Sequence, residues 1–375
     1  MQTKQNIAIK IIGGLFIASL LSCRSPAPPM PSGIVFFRGN ESQGALYFYE
    51  FSTGKIRLLT PPDQWIAPYY PYLISWSKQN WHFAYVTGYN NTAEIYTLAL
   101  DGTIKRLTYN QWEDHSPQWS PNGQTLAFLS RKDDGMERAY IMNFASGEVR
   151  PLLPDKSILT ADLRWSPQGD QIALSAVHAQ EQPQFLGQIQ THYLYIVNPE
   201  TGEIIKKQEG KDTVFDKLSW SPDGHKVAYV AHTAGRHELR IWDLEKEVVY
   251  PLSEIEQDVW LVEWAPKGLF LAVFAGQLEE RNPTLHLYIV NAEGKDIRDI
   301  TPAGISVIMG RPGLWSPDSS CLLVTTYEET GQWAIRIIHW PTGRDKKIAG
   351  EYPFAISLLW ITDSEPPFSC ESLFK

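Results

Sequence analysis

Four carboxylates stand a few residues ahead of four tryptophans: Asp114 before Trp119, Asp162 before Trp165, Asp216 before Trp220 and Asp258 before Trp264. Carboxylates gathered around one opening could hold calcium or another hard cation. Two of them brought within about 5–10 Å at the base of a cleft could share acid and base roles on a glycan. Their offsets from the tryptophan are five, three, four and six residues. That irregularity argues against one shared ring, so hydrogen-bonded or solvated carboxylates are the plainer reading, and no metal or cofactor is expected. The nine histidines are scattered. His178 and His192 flank an insertion, and His232 and His237 share another segment. Neither pair has a carboxylate or cysteine at a ligand-like spacing, which leaves them as solvated or hydrogen-bonded loop residues. Cys23, Cys321 and Cys370 match no metal knuckle. If Cys23 is chemically used, the other two either pair in an oxidising compartment or stay as thiols. No Gly-x-Ser-x-Gly nucleophile turn occurs.

The elements that must position these residues repeat. A strand ending in tryptophan recurs at Trp76, Trp119, Trp165, Trp220, Trp264, Trp315 and Trp360, at gaps of 43, 46, 55, 44, 51 and 45 residues. A tight turn follows, sharpest in Ser221-Pro222-Asp223-Gly224 and degraded by degrees to Ser77-Lys78-Gln79-Asn80. Proline presets φ, serine and aspartate bond nearby backbone, and glycine accepts positive φ. A second apolar strand comes next (Val227 to Val230 is one), then a third, a Gly-containing turn and a fourth. Four short strands in about 45 residues is the period of a propeller blade. Packing blades in a ring covers both faces of each sheet, and the tryptophan is sized to fill the gap between neighbours.

The ends set the count. Ile34 to Phe37, Leu46 to Phe51 and Ile56 to Thr60 read as strands two, three and four without a first, and Ile356 to Trp360 supplies it. The expectation is an all-β, seven-bladed β-propeller of four-stranded antiparallel blades, closed by a composite N-/C-terminal blade, over residues 33–375, with six or eight blades if one hairpin departs from the pattern. Loops joining blades, and loops joining strands two and three, then share one rim, and these vary most. They carry Trp65, Tyr69, Tyr70, Tyr89, Tyr109, Trp112 and Trp260. Such aromatics either bind a peptide, protein or glycan by stacking or pack down as plugs. The longest of these loops, Ala176 to Thr191, is rich in glutamine and reads as a lid, a partner arm or a tolerated insertion.

Ahead of the repeats, Lys4 and Lys10 precede an apolar run from Ile11 to Leu21, too short for an ordinary spanning helix and laid out as a secretory leader. Leu20-Leu21-Ser22-Cys23 resembles a bacterial lipobox, which implies a signal over residues 1–22, lipidation of Cys23, and a Pro-rich tether over 23–32. Arg24 just after that cysteine fits an outer-membrane destination in a two-membrane cell. The net charge of −9 argues against a nucleic-acid footprint.

The Trp-Ser-Pro-Asp-Gly unit with Leu126-Ala127-Phe128, Ile172-Ala173-Leu174 and Val227-Ala228-Tyr229 resembles the repeat of TolB-type propellers. The propeller domains of prolyl-oligopeptidase-like enzymes share it. The resemblance covers nearly everything after residue 33 and speaks to fold more than activity. It departs from both relatives: only leader and tether precede the blades, without TolB's additional α/β domain, and the chain has no hydrolase domain. The expected function is a lipid-anchored, non-enzymatic scaffold binding an envelope protein, peptide or cell-wall component, peptidoglycan-associated partners included. The competing expectation is an envelope hydrolase or lyase with acids or histidines at the channel mouth.

Overall fold

The computed structural model describes residues 32–39, 44–61, 74–88, 93–99, 102–132, 134–179, 191–233, 235–252, 255–277, 284–308, 314–328, 331–352, 354–362 and 368–374. The leader, Cys23 and the tether up to Pro31 lie outside them. The described strands form seven four-stranded antiparallel sheets.

The first blade joins β28 (Phe354–Ile361) to β1 (Gly33–Gly39), β2 (Gly44–Glu50) and β3 (Ile56–Leu58). The second holds β4 (Ser75–Ser77), β5 (His82–Thr87), β6 (Glu94–Ala99) and β7 (Ile104–Arg106). The third holds β8 (Asp114–Trp119), β9 (Thr125–Ser130), β10 (Arg138–Asn143) and β11 (Val149–Pro151). The fourth holds β12 (Ile158–Trp165), β13 (Ile172–His178), β14 (Thr191–Val197) and β15 (Ile204–Lys211). The fifth holds β16 (Thr213–Trp220), β17 (Lys226–Thr233), β18 (Arg236–Asp243) and β19 (Val248–Pro251). The sixth holds β20 (Val259–Trp264), β21 (Phe270–Gln277), β22 (Thr284–Asn291) and β23 (Ile297–Asp299). The seventh holds β24 (Ser306–Ile308), β25 (Cys321–Tyr327), β26 (Trp333–His339) and β27 (Arg344–Tyr352).

The second strand of each blade lies between neighbouring blades on both faces. That is why β17 reads Val227-Ala228-Tyr229-Val230-Ala231 without polar alternation and is buried throughout that run. The core is accordingly divided into seven clusters, each spanning one seam. Phe83 and Tyr85 of the second blade pack with Phe37 and Phe48 of the first, and Ile34 and Phe36 of the first pack with Leu323 and Ile335 of the seventh. The ring is therefore closed by packing as well as by pairing, with β1 antiparallel to β28 from Gly33↔Ile361 to Gly39↔Phe354.

The tryptophans also bond across the seams. The indole N–H of Trp165 donates to Gln118 O, that of Trp220 to Arg164 O, that of Trp315 to Glu263 O and that of Trp360 to Leu314 O, at 3.0–3.2 Å. Each acceptor is the residue just before the preceding blade's tryptophan. Where that residue is serine, the bond changes form. Ser75 and Ser219 accept instead from the backbone N–H of Trp119 and Trp264, both at 2.9 Å. Trp315 is joined to Leu322 by an isolated antiparallel bridge, and residues 309–313, between it and β24, lie outside the described residues.

The tight turns occupy one rim. Ser221 Oγ donates to Asp223 Oδ1 at 2.6 Å and accepts from Lys226 N at 2.9 Å, while Gly224 N donates to Ser221 O. Gly224 has φ +76, a conformation that L side chains rarely adopt, so the backbone there favours glycine, while a Cβ would meet only the movable end of Gln168. On the same rim the tail returns to the seventh blade. Cys370 is disulfide-bonded to Cys321, its N–H donates to Asp318 Oδ2 at 2.8 Å, and Phe368 stacks on Phe51 at 5.7 Å. Closing a sequence separation of 49 residues stabilises by about 4 kcal/mol in the chain-entropy account.

Candidate binding rim

Blade-joining loops and second-to-third strand loops meet on the opposite rim. The innermost strands arrive there irregular, with bulges between His115 and Gln118, Thr160 and Asp162, Asp216 and Ser219, and Val259 and Leu261. A bulge inserts an unpaired residue and re-aims its neighbours. Ser116 and Lys217, within two of these bulges, hold φ of 53 each. The uneven offsets of the four aspartates from their tryptophans are in part the record of these insertions.

At the seam between the second and third blades, Glu94 at the start of β6 is buried and fully engaged. It accepts from Arg106 at 2.7 Å, from the Thr108 hydroxyl and from Asn110 N at 3.0 Å. Asn110 passes the network on, donating from Nδ2 to Asp114 Oδ2 at 2.6 Å and accepting from Trp112 N at 2.7 Å. Burial pushes the Asp114 carboxyl up and the nearby Glu94 charge adds to the rise, against the hydrogen bond from Asn110. Over this buried lattice Tyr109 is 73% exposed, with the Arg106 guanidinium 4.8 Å from its ring centroid. Trp112, three residues on, is half-buried. Further along the mouth His115 meets Glu137 at 2.9 Å, and Arg131 meets Glu137 and Glu113. Burial raises the Glu137 carboxyl, but the His115 hydrogen bond and the charges of His115 and Arg131 outweigh it and hold Glu137 below the ordinary range.

A second cluster spans the fifth and sixth blades. His232 and His237 face each other across β17 and β18, with ring centroids 4.1 Å apart. The His237 ring meets Trp260 edge to face at 4.2 Å, and the Trp260 indole N–H donates to Gly276 O at 2.9 Å. Asp216 Oδ2 lies 3.9 Å from His232 Nε2 and 2.6 Å from Lys217 Nζ, while Asp258 accepts from the His237 backbone N–H at 3.0 Å. Burial depresses the His232 pKa, His237 and Lys217 depress it further, and Asp216 and Asp258 pull the other way.

The expected aspartates do not form one ring. Asp114 bonds Asn110, Asp162 bonds Arg164 at 2.8 Å, Asp216 bonds Lys217, and Asp258 holds the His237 N–H. Among the described residues no group of three or more His, Cys, Asp or Glu side chains could hold a metal ion. Trp65, Tyr69, Tyr70, Tyr89 and residues 180–190 of the long loop lie outside the described residues. Between the rims, the first strands of the third to sixth blades line a cavity of about 370 Å³ that carries Gln118, Arg164, Lys217 and Glu263.

No family model matches the chain. A TolB homologue of Chlorobium luteolum is 27% identical over 164 residues, 44% of this chain and 34% of that protein, so the match spans about a third of the relative's length. The propeller domain of the Trilobed protease from Pyrococcus furiosus superposes with a TM-score of 0.61 at 14% identity, over 87% of this chain and 97% of that one. TolB from Acinetobacter baumannii superposes at 0.50 and 14% identity, over 90% and 88%. In fold, the chain is a TolB-like seven-bladed β-propeller. The Pyrococcus domain is described as having an open velcro topology; here β28 completes the first blade.

Within this TolB-like ring, the histidines are the sites that sequence reasoning placed wrongly. His232 and His237 lie in strands, not in a loop, because β17 and β18 stay paired as far as Thr233↔Arg236. The Ala-Gly pair at 234–235 was the available signal in the sequence: a hairpin read there sets the two histidines opposite each other. His178 likewise ends β13 and reaches the Tyr195 hydroxyl at 2.9 Å, and His192 lies in β14. The carboxylates beside His232 and His237 come from β16 and from the next blade, so no local spacing announces them.

Proposed function

We propose that this chain is a non-enzymatic binding scaffold of the bacterial envelope, tethered through lipidated Cys23, that offers the variable rim to an envelope protein or peptide. The observation that carries the reading is Tyr109: a largely exposed aromatic held by Arg106, which Glu94 fixes from inside the seam. A ring placed in advance loses little freedom on contact, which favours recognition by stacking. The carboxylates support the same reading, since each is engaged with its own partner instead of converging on a shared centre. An envelope address is supported by the Cys321–Cys370 disulfide, which suits an oxidising compartment, and by the similarity to a TolB homologue. Affinity capture from detergent-solubilised envelopes tests the binding: Tyr109→Ala with Trp112→Ala should lose partners that the unmodified chain retains, and an unchanged set overturns it. Metabolic lipid labelling tests the anchor, with label expected on the intact chain and lost in Cys23→Ser; an unlabelled intact chain refutes it.

A further inference from the structure

The geometry of β15 points to a second, separate surface: we propose that two copies of this chain dock edge to edge through β15, antiparallel about Gln208. Propellers ordinarily leave only short edges at their circumference. Here β3, β7, β11 and β23 have three residues each and β19 has four. β15 has eight and β27 nine. The chain end lies against β27, where Lys346 Nζ donates to Leu373 O at 3.0 Å. Among the described strands β15 pairs with β14 alone, and most of its residues are exposed. An edge of that length is a template for another strand.

The charges select both the occupant and the register. Two copies of one strand related by a two-fold axis normal to the sheet must place one residue opposite itself. Centring on Lys206 or Lys207 sets lysine against lysine. Centring on Glu209 sets Glu209 against itself and Lys207 against Lys211. Centring on Ile205 or Gly210 pairs only three residues of the strand (204–206 or 209–211). Centring on Gln208 pairs residues 205–211, sets Gln208 on Gln208, and places Lys207 against Glu209 in both directions. Like charges directly opposite destabilise a strand pair and opposite charges stabilise it, so this register alone is favoured over most of the strand's length. Lys207 and Glu209 already meet at 2.7 Å within one copy and are 60% and 54% exposed. Docking would complete a lattice of four alternating charges. Behind it Tyr195 and Tyr193, the cross-strand neighbours of Lys207 and Glu209, stack at 5.4 Å and stiffen that face.

Sedimentation velocity on the full chain carrying Cys23→Ser should show a concentration-dependent monomer–dimer equilibrium. Lys207→Glu or Glu209→Lys should each weaken it by about tenfold or more, and the double exchange K207E/E209K should restore it. Under mild oxidation Gln208→Cys should form a disulfide between copies, whereas Ile205→Cys, facing residue 211, should not. Identical unfolding curves would confirm that these exposed changes leave the blades intact. A monomer at every concentration, a dimer indifferent to K207E, a double exchange that fails to restore pairing, or I205C cross-linking as readily as Q208C would each overturn the proposal.

Discussion

On the rim of tight turns, the serine hydroxyl that opens a turn finds its partners within five residues. Ser221 serves Asp223 and Lys226, Ser120 serves Asn122 and Thr125, and Ser316 serves Asp318 and Cys321. On the opposite rim local pairs such as Asp216 with Lys217 are joined by partners far apart along the chain. Glu94 reaches Asn110 sixteen residues on, His115 reaches Glu137 across 22, and Asp258 holds His237 across 21. The first rim is assembled by local chemistry and repeats because its instructions repeat. The second exists only once blades are in place, and its loops are free to differ because the frame does not depend on them. Changes on the frame should therefore cost stability, and changes on the variable rim should cost recognition.

The largest effect should come from the seams that join the frame. Trp220→Ala removes a buried indole and its bond to Arg164 O, and should destabilise by about 3–5 kcal/mol, read from the urea midpoint. A loss below about 1 kcal/mol would erase the contrast between the rims. Ser221→Ala, which strips one turn of its hydroxyl, should cost about 1–2 kcal/mol in the same measurement.

A smaller, pH-dependent effect belongs to the variable rim. The folded chain holds His232 below its ordinary value of 6.5, so the unfolded chain takes up the proton first. Stability is then complete above the unfolded value and declines as pH falls from it through the folded one. Replacing the histidine, as in His232→Gln, should remove that part of the decline in melting temperature between about pH 7.5 and 5.5; an unchanged slope would show that Asp216 and Asp258 cancel the repulsion from His237 and Lys217. The smallest stability change should be that of Tyr109→Ala, within about 0.5 kcal/mol of the parent because the ring is exposed, even as partner capture is lost. A large drop would make Tyr109 part of the frame and sharpen the boundary between the rims at its expense.

The frame was legible because its signals are short. Val227-Ala228-Tyr229 announces a strand buried on both faces, and Ser-Pro-Asp-Gly announces the turn before it. Ile34 to Thr60 lacks one strand that Ile356 to Trp360 supplies, which the pairing of β1 with β28 realises. The indole bonds across seams were not legible. Their acceptors are backbone carbonyls of another blade, and Trp264 instead crosses its seam through its backbone N–H to Ser219 some 45 residues earlier, while its indole bonds Gly268 O of its own blade. The Glu94 network was hidden for the same reason, since nothing near Glu94 in the sequence marks Asn110 as its neighbour.

What the sequence determined by itself is the number of blades, the residues that fill each seam and the hydrogen bonds of each turn. Strand alternation and turn chemistry act over a few residues and need no distant partner. What the tertiary structure alone decided is which charges meet on the variable rim, and that Cys321 meets Cys370. Those encounters depend on where unequal loops return the chain around a closed ring, and only the packed ring fixes that.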